Sequence, residues 1–116
     1  MILKKMLDVP AEPVRMEGAE GVTVRVLFGP DDNAPTVAMR LFELAPDGHT
    51  PFHTHEFEHE VIVLEGDIAM VTPDGDKPLV PNDVVLVMPD EKHRFKNRSD
   101  TAPARFICLV PIAYQQ

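Results

Sequence analysis

Four of the five histidines lie in two places along the sequence. His53, His55 and His59 are close together, and His93 lies far downstream. In an extended strand side chains alternate between two faces, so positions 53, 55 and 59 can all point to one side. Imidazole clusters suit transition metals, whereas converging imidazoles make a poor apolar core. The pattern therefore predicts one metal site built from His53, His55, His59 and His93.

The register of the first cluster leaves one alternative ligand. Glu60 follows His59 directly, and a slip of one residue would exchange the two. Position 60 is even, so its side chain should face away from the other ligands unless a bulge intervenes. Parity thus favours His59 over Glu60.

Composition excludes several classes of protein. A length of 116 residues, with 44% hydrophobic and 26% charged residues, predicts a single globular domain over 1–116. A net charge of −8 disfavours nucleic-acid binding. No apolar run approaches the roughly 20 residues that span a bilayer, and no signal peptide is evident, so a cytoplasmic, non-membrane protein is expected. Cys108 is the single cysteine and cannot form an internal disulfide.

The segments around the histidines are typical of short strands. Twelve prolines, mostly between β-rich runs, argue against long helices. Turns are predicted at 45–48 and 73–76. The predicted strands are 1–7, 13–17, 22–28, 36–44, 53–65, 68–72, 84–88, 93–97 and 104–110. This pattern predicts an all-β sandwich or closed barrel. Apolar residues on both faces of 61–64 favour a second layer, and a homodimer could supply it.

Two motifs resemble those of the cupin family and together cover most of the chain. They are Gly48-(x4)-His53-x-His55-(x3)-His59-(x6)-Gly66 and Pro89-(x3)-His93-(x3)-Asn97. The resemblance implies a double-stranded β-helix, or jelly-roll barrel, with one divalent metal held by both motifs. His59 stands where the common cupin pattern has a glutamate. This variant resembles small single-domain bacterial cupins that carry manganese.

The predicted ligand set has chemical consequences. The resemblance favours manganese, whereas imidazole chemistry alone favours iron, nickel or copper, and zinc also fits. Four neutral imidazoles leave the ion its full charge, which attracts anionic ligands. Two open octahedral positions favour a dioxygenase-type oxidoreductase acting on a small anionic or enolisable molecule. The alternatives are an isomerase or lyase that uses the metal as a Lewis acid, and a stand-alone binding protein without turnover.

Pocket residues follow from parity alone, and no catalytic residue is assigned. Phe57 shares the odd face of the histidines. Phe106 and Cys108 share one face of the last strand, where they either line the pocket or belong to the core. Arg40 either pairs with a substrate carboxylate or is an exposed charge on its strand.

Overall fold

The computed structural model describes residues 1–115. Short 3-10 helices lie at Met6–Asp8, Pro30–Asp32 and Ile112–Tyr114. The β-strands are β1 (Glu12–Pro13), β2 (Glu20–Phe28), β3 (Val37–His49), β4 (His59–Glu65), β5 (Ile68–Thr72), β6 (Gly75–Leu79), β7 (Val84–Val87), β8 (Arg94–Asn97) and β9 (Ala104–Pro111).

The nine strands of the described chain form one curled antiparallel sheet. Its main order is β6-β5-β8-β3-β9-β4-β7, while β2 pairs with β3 and β1 pairs with β2. Strand β9 lies between β3 and β4, so strands that are distant in sequence pair with one another. The prediction of an all-β domain is confirmed.

Strands β4 and β9 separate an inner face from an outer face. Val61 and Val63 are 3% and 1% exposed, and Phe106 and Cys108 are each 2% exposed. The residues between them point outward, as the period of two in a strand requires. The inner faces form the hydrophobic core. Side chains on these faces, including those of His59 and Cys108, therefore point toward the interior.

Strand β3 is longer than predicted, and the turn expected at 45–48 is wrong. The strand continues through Pro46 to His49. Asp47 absorbs the local kink with a φ of 62°, and the pairing with β2 is irregular between Glu20 and Val22. Because the chain bends without reversing, β3 pairs with β9 along its first part and with β8 at His49.

Three other boundaries also differ from the predictions. No strand forms at 1–7, where Leu3 is 86% exposed and the chain has no partner strand to pair with. The strand predicted at 13–17 is reduced to the two-residue β1. Strand β6, whose start lies inside the turn predicted at 73–76, was missed because its sequence, Gly-Asp-Lys-Pro-Leu, has little β propensity.

Candidate metal centre

The histidines converge by a different route from the one predicted. Residues 53–58 do not form a continuous strand, so that part of the prediction is wrong. His53 forms an isolated bridge with His93, in which each backbone N–H donates to the other's carbonyl at 3.2 Å. His55 lies in the irregular segment that follows, and His59 opens β4. The long-range bridge, rather than strand periodicity alone, joins the two motifs.

Three of the histidines form a tight cluster. One ring nitrogen from each of His55, His59 and His93 lies within 4.8 Å of the others. Because metal–imidazole bonds are about 2.0–2.1 Å long, nitrogens at this spacing can reach a shared ion with small side-chain adjustments. The ring of His53 lies beside the cluster, with its centroid 5.3 Å from that of His55 and 5.8 Å from that of His93. Its role as a fourth ligand stays a prediction.

The hydrogen bonds of three histidines present Nε2 as a ligand atom. In each, Nδ1 lies 2.8–2.9 Å from a backbone carbonyl; the pairs are His53 with Pro51, His55 with Phe57, and His93 with Glu91. A carbonyl can only accept, so Nδ1 carries the proton and Nε2 keeps its lone pair. Nε2 of His55 is buried without a hydrogen-bond partner among residues 1–115. Histidines that bind a metal typically donate their other ring N–H to a carbonyl or carboxylate in this way, and the unpartnered nitrogen fits a metal ion.

His59 has different neighbours. Its Nδ1 lies 3.0 Å from Sγ of Cys108 and 3.4 Å from Nη2 of Arg40. Nη2 of Arg40 also donates to Sγ of Cys108 at 3.1 Å, and the guanidinium lies 4.8 Å from the centre of the Phe42 ring. The guanidinium of Arg40 therefore contacts a sulfur atom and an aromatic ring. It makes no ion pair with a carboxylate in residues 1–115.

Burial keeps the clustered imidazoles neutral. Desolvation lowers the pKa of His55 and His93 below its ordinary value of 6.5. Burial, followed by repulsion from His55 and Arg40, lowers the pKa of His59 to about 2. Burial raises the pKa of the Cys108 thiol, although Arg40 opposes the shift. The cluster therefore presents neutral nitrogen donors, which is the form that binds a metal.

The cluster opens into a cavity of about 420 Å³. All four pocket residues named from the sequence, Phe57, Phe106, Cys108 and Arg40, line it. Sequence reasoning missed three other aromatic side chains in its wall, namely Phe42, Phe95 and Tyr114. Phe42 shares the even face of β3 with Arg40, so alternation could have identified it. Phe95 and Tyr114 reach the cavity from segments that are distant in sequence, so alternation within a strand could not have identified them.

Tyr114 covers one side of this cavity. Its ring stacks on Phe57 with the centroids 4.1 Å apart, and its hydroxyl donates to Glu56 at 3.2 Å. Phe57 in turn stacks on His55 at 4.3 Å. The short 3-10 helix at Ile112–Tyr114 thus brings the end of the chain against the candidate site.

Glu60 is on the opposite side of the sheet from the cluster. It lies on the outer face of β4, in a surface groove beside Ile62 and Leu86. Its side chain does not belong to the histidine cluster, so this arrangement matches the parity argument that favoured His59.

The site combines three chemical features. Neutral imidazole nitrogens converge on one point, and the walls around them are apolar and aromatic. The guanidinium of Arg40 stands beside them and has no carboxylate partner among residues 1–115. This combination suits a divalent metal together with an anionic, largely apolar small molecule.

Comparison with known proteins places the chain in a family. Residues 40–110 match the family model described as the cupin domain, and the chain belongs to the cupin family. Its single domain has the cupin jelly-roll fold, as the two motifs predicted.

Individual relatives carry several different activities in their names. The chain is 35% identical to the polyketide cyclase RemF from Streptomyces resistomycificus, with a TM-score of 0.91 over 97% of this chain and 80% of that chain. It is 27% identical to a sugar phosphate isomerase from Silicibacter pomeroyi, with a TM-score of 0.69 over 78% of this chain and 59% of that one.

A curated relative is also similar in sequence. The 1-methylthio-D-xylulose 5-phosphate methylsulfurylase of Rhodospirillum rubrum is 32% identical over 89 residues, which is 77% of this chain. This chain covers only 55% of that protein's length.

Residues 1–115 contain no helix with the length and apolar character needed to cross a membrane.

Proposed function

We propose that this cupin is a metal-dependent enzyme that enolises a small anionic carbonyl compound without net oxidation. The observation that carries the proposal is the convergence of His55, His59 and His93 on a cavity that also holds Arg40. A divalent metal held by these imidazoles would act as a Lewis acid and polarise a carbonyl oxygen. Cyclisation and isomerisation of carbonyl compounds can both begin with such a step.

The chain's own residues support this chemistry in two ways. Arg40, whose charge is not balanced by a carboxylate in the described chain, is placed to bind an anionic group of the substrate. The aromatic walls from Phe42, Phe57 and Tyr114 exclude water and favour a flat substrate. Exclusion of water strengthens the attraction between Arg40 and the anion.

The relatives favour this proposal over an oxygenase. The names of the three similar proteins describe a cyclase, an isomerase and a methylsulfurylase. The dioxygenase activity predicted from open coordination positions stays a prediction, as does manganese as the metal. An all-nitrogen donor set favours zinc, iron, nickel or copper over manganese by affinity alone.

Exchange of α-protons with solvent deuterium tests the proposal. Protein reconstituted with Zn²⁺ or Mn²⁺ is incubated in D₂O with 1,3-diketones and 2-oxo acids, and exchange is followed by proton NMR with and without oxygen. We expect exchange at the same rate in both atmospheres. The variant His93→Ala should lose about 100-fold or more of that rate, as expected when a metal site is disrupted.

Glu60→Gln is the matched control, because Glu60 lies on the outer face of β4, away from the histidine cluster. Its rate should equal that of the wild type. Consumption of oxygen coupled to turnover would show that the protein is a dioxygenase instead. Tight binding of a diketone without exchange would show a binding protein.

A further inference from the structure

We propose that Cys108 is a positioning residue that sets the tautomer of His59 and so makes His59 a metal ligand. The inference rests on the metal site of the proposed function. Cys108 contacts Nδ1 of His59, whereas the metal would bind Nε2 of the same ring. The inference gives the sulfur a role beyond packing in the core.

His59 does not share the kind of hydrogen bond that orients the other three histidines of the site. His53, His55 and His93 each donate Nδ1–H to a backbone carbonyl, which leaves Nε2 free. The neighbours of Nδ1 of His59 are instead side-chain atoms. The atoms there are Sγ of Cys108 at 3.0 Å and Nη2 of Arg40 at 3.4 Å.

The two neighbours impose opposite tautomers. A guanidinium can only donate, so a hydrogen bond from Arg40 to Nδ1 would place the imidazole proton on Nε2 and remove His59 as a ligand through that atom. A sulfur can accept, so a bond from Nδ1–H to Cys108 keeps the lone pair on Nε2. Whether Nδ1 of His59 bonds to Arg40 or to Cys108 therefore decides whether Nε2 of His59 can bind the metal.

The geometry favours the bond to sulfur. Nη2 of Arg40 is closer to Sγ of Cys108, at 3.1 Å, than to Nδ1 of His59. The thiol's own proton has a separate acceptor in the carbonyl of Leu109, at 3.9 Å. The sulfur can then accept from both Arg40 and His59. When Nδ1 of His59 donates its proton to Sγ of Cys108, it has no lone pair left to accept a hydrogen bond from Arg40. Cys108 thus prevents the competing bond that would block His59.

Cys108→Ala tests this assignment in two measurements. In the metal-free protein, ¹⁵N chemical shifts of labelled imidazoles report the tautomer, and His59 should change from the Nδ1–H to the Nε2–H form. Metal affinity, measured by competition with a chromophoric chelator, should fall about 10- to 100-fold, the usual effect of losing the group that hydrogen-bonds to a metal-ligating histidine.

Three further variants separate tautomer control from packing. Cys108→Ser keeps an acceptor and should retain the wild-type tautomer and most of the affinity. The double variant Cys108→Ala, Arg40→Met removes the competing donor and should recover affinity relative to Cys108→Ala. Val110→Ala removes volume from the same face of β9 and should leave the tautomer unchanged.

The outcomes distinguish this inference from the proposed function. If the wild type binds metal and Cys108→Ala binds it with the same affinity, the role of Cys108 is overturned but the proposed function is not. An unchanged His59 tautomer in Cys108→Ala has the same consequence. Failure of the wild type to bind any metal overturns the proposed function, and the spectra of the metal-free protein still decide the tautomer. Equal losses in Cys108→Ala and in the double variant would also contradict the inference.

Discussion

The chemistry of this cupin depends on the protonation of single side chains. His55, His59 and His93 are neutral because burial lowers the pKa of each imidazole, to about 2 for His59. A proton and a metal ion compete for the same nitrogen lone pair. The depressed pKa values therefore protect the site against protons in mildly acidic solution, but they also make folding sensitive to pH.

We expect the metal-free protein to lose stability as the pH falls below about 6.5, where unfolded histidines take up protons. The folded pKa values of His55, His59 and His93 lie below this value, so the unfolded state binds more protons throughout that range. The free energy of unfolding should fall by up to about 1.4 kcal/mol per pH unit for His59, and by less for the more exposed His55. Urea unfolding between pH 8 and pH 4 measures this slope.

His59→Gln is the control, because it removes the histidine with the largest shift. Its stability should depend less steeply on pH than that of the wild type. A stability that rises on acidification below pH 6.5 would contradict the sign of these pKa shifts.

Residue types and spacing predicted the candidate ligands, but not how they are oriented. The parity of 53, 55 and 59 gave the same side chains that the structure brings near His93, although only His59 lies in β4. The bonds that fix each Nδ1 depend on local bends of the backbone. The contact between His59 and Cys108 joins residues 49 positions apart. Neither feature follows from the sequence order alone.

At the scale of secondary structure, one buried side chain joins three segments. Asn97 ends β8 and is 0% exposed. Its Nδ2 donates to the carbonyls of Leu44, Ala45 and Ala102, and its Oδ1 accepts from the N–H of Ser99. The amide therefore ties the end of β8 to β3 and to the loop before β9. It stabilises the framework that holds His93 near β4.

Replacement of Asn97 by Ala should destabilise the domain by about 2–4 kcal/mol, since it leaves several buried backbone groups without partners. Urea unfolding of the metal-free protein measures the loss. The neighbouring Lys96→Ala, at an exposed position of the same strand, should change stability by less than about 0.5 kcal/mol. Equal effects of the two substitutions would argue against the anchoring role.

Strand predictions were accurate where the sequence alternates strongly, and they were wrong where pairing with a distant strand decides the structure. The sequences of β2, β4 and β9 alternate or are β-branched. Strands β2 and β9 form close to the predicted ranges, whereas β4 forms only over the 59–65 part of the predicted strand 53–65. The N-terminal segment 1–7 has β-forming residues but no partner. The turn predicted at 45–48 was wrong because these turn-forming residues make a kink within β3 instead of reversing the chain.

The whole molecule presents an apolar surface on the side opposite the metal site. On this outer apolar face Val84 is 73% exposed, Leu86 52%, Leu64 40% and Ile62 37%. These side chains surround or adjoin a groove that also contains Ile107 and Leu109. Contiguous exposed apolar side chains on a sheet are typical of interaction surfaces. The sequence showed the same feature as apolar residues on both faces of 61–64.

We propose that a second copy of this chain covers the outer apolar face. Strands β4 and β7 pair along this face, and a face of paired strands can pack against an identical face in an isologous dimer. The wild type should elute as a dimer in size-exclusion chromatography with light scattering. Val84→Lys, Leu86→Lys should be monomeric, because each copy would bury unpaired charges.

Val80→Lys is the matched control, since Val80 is an exposed apolar residue outside this groove. It should leave the dimer intact. A monomeric wild type at micromolar concentration would contradict the proposal, and metal content measured on the same fractions would show whether the site needs the partner.

At this scale the fold was predictable because the two motifs carry most of the topology. The motif residues lie in or next to three strands: Gly48 is in β3, His59 and Gly66 are at the two ends of β4, and His93 and Asn97 are at the two ends of β8. The cavity shape was not predictable, because Tyr114 reaches it from the end of the chain. The substrate depends on that shape.

The stacking of Tyr114 has a spectroscopic consequence. The chain has no tryptophan and one tyrosine, so Tyr114 dominates its ultraviolet emission over the weakly fluorescent phenylalanines. That phenol stacks on Phe57, which stacks on His55 of the cluster. The protein thus carries one native fluorophore at the wall of its own cavity. Its quenching reports the filling of the site without any label.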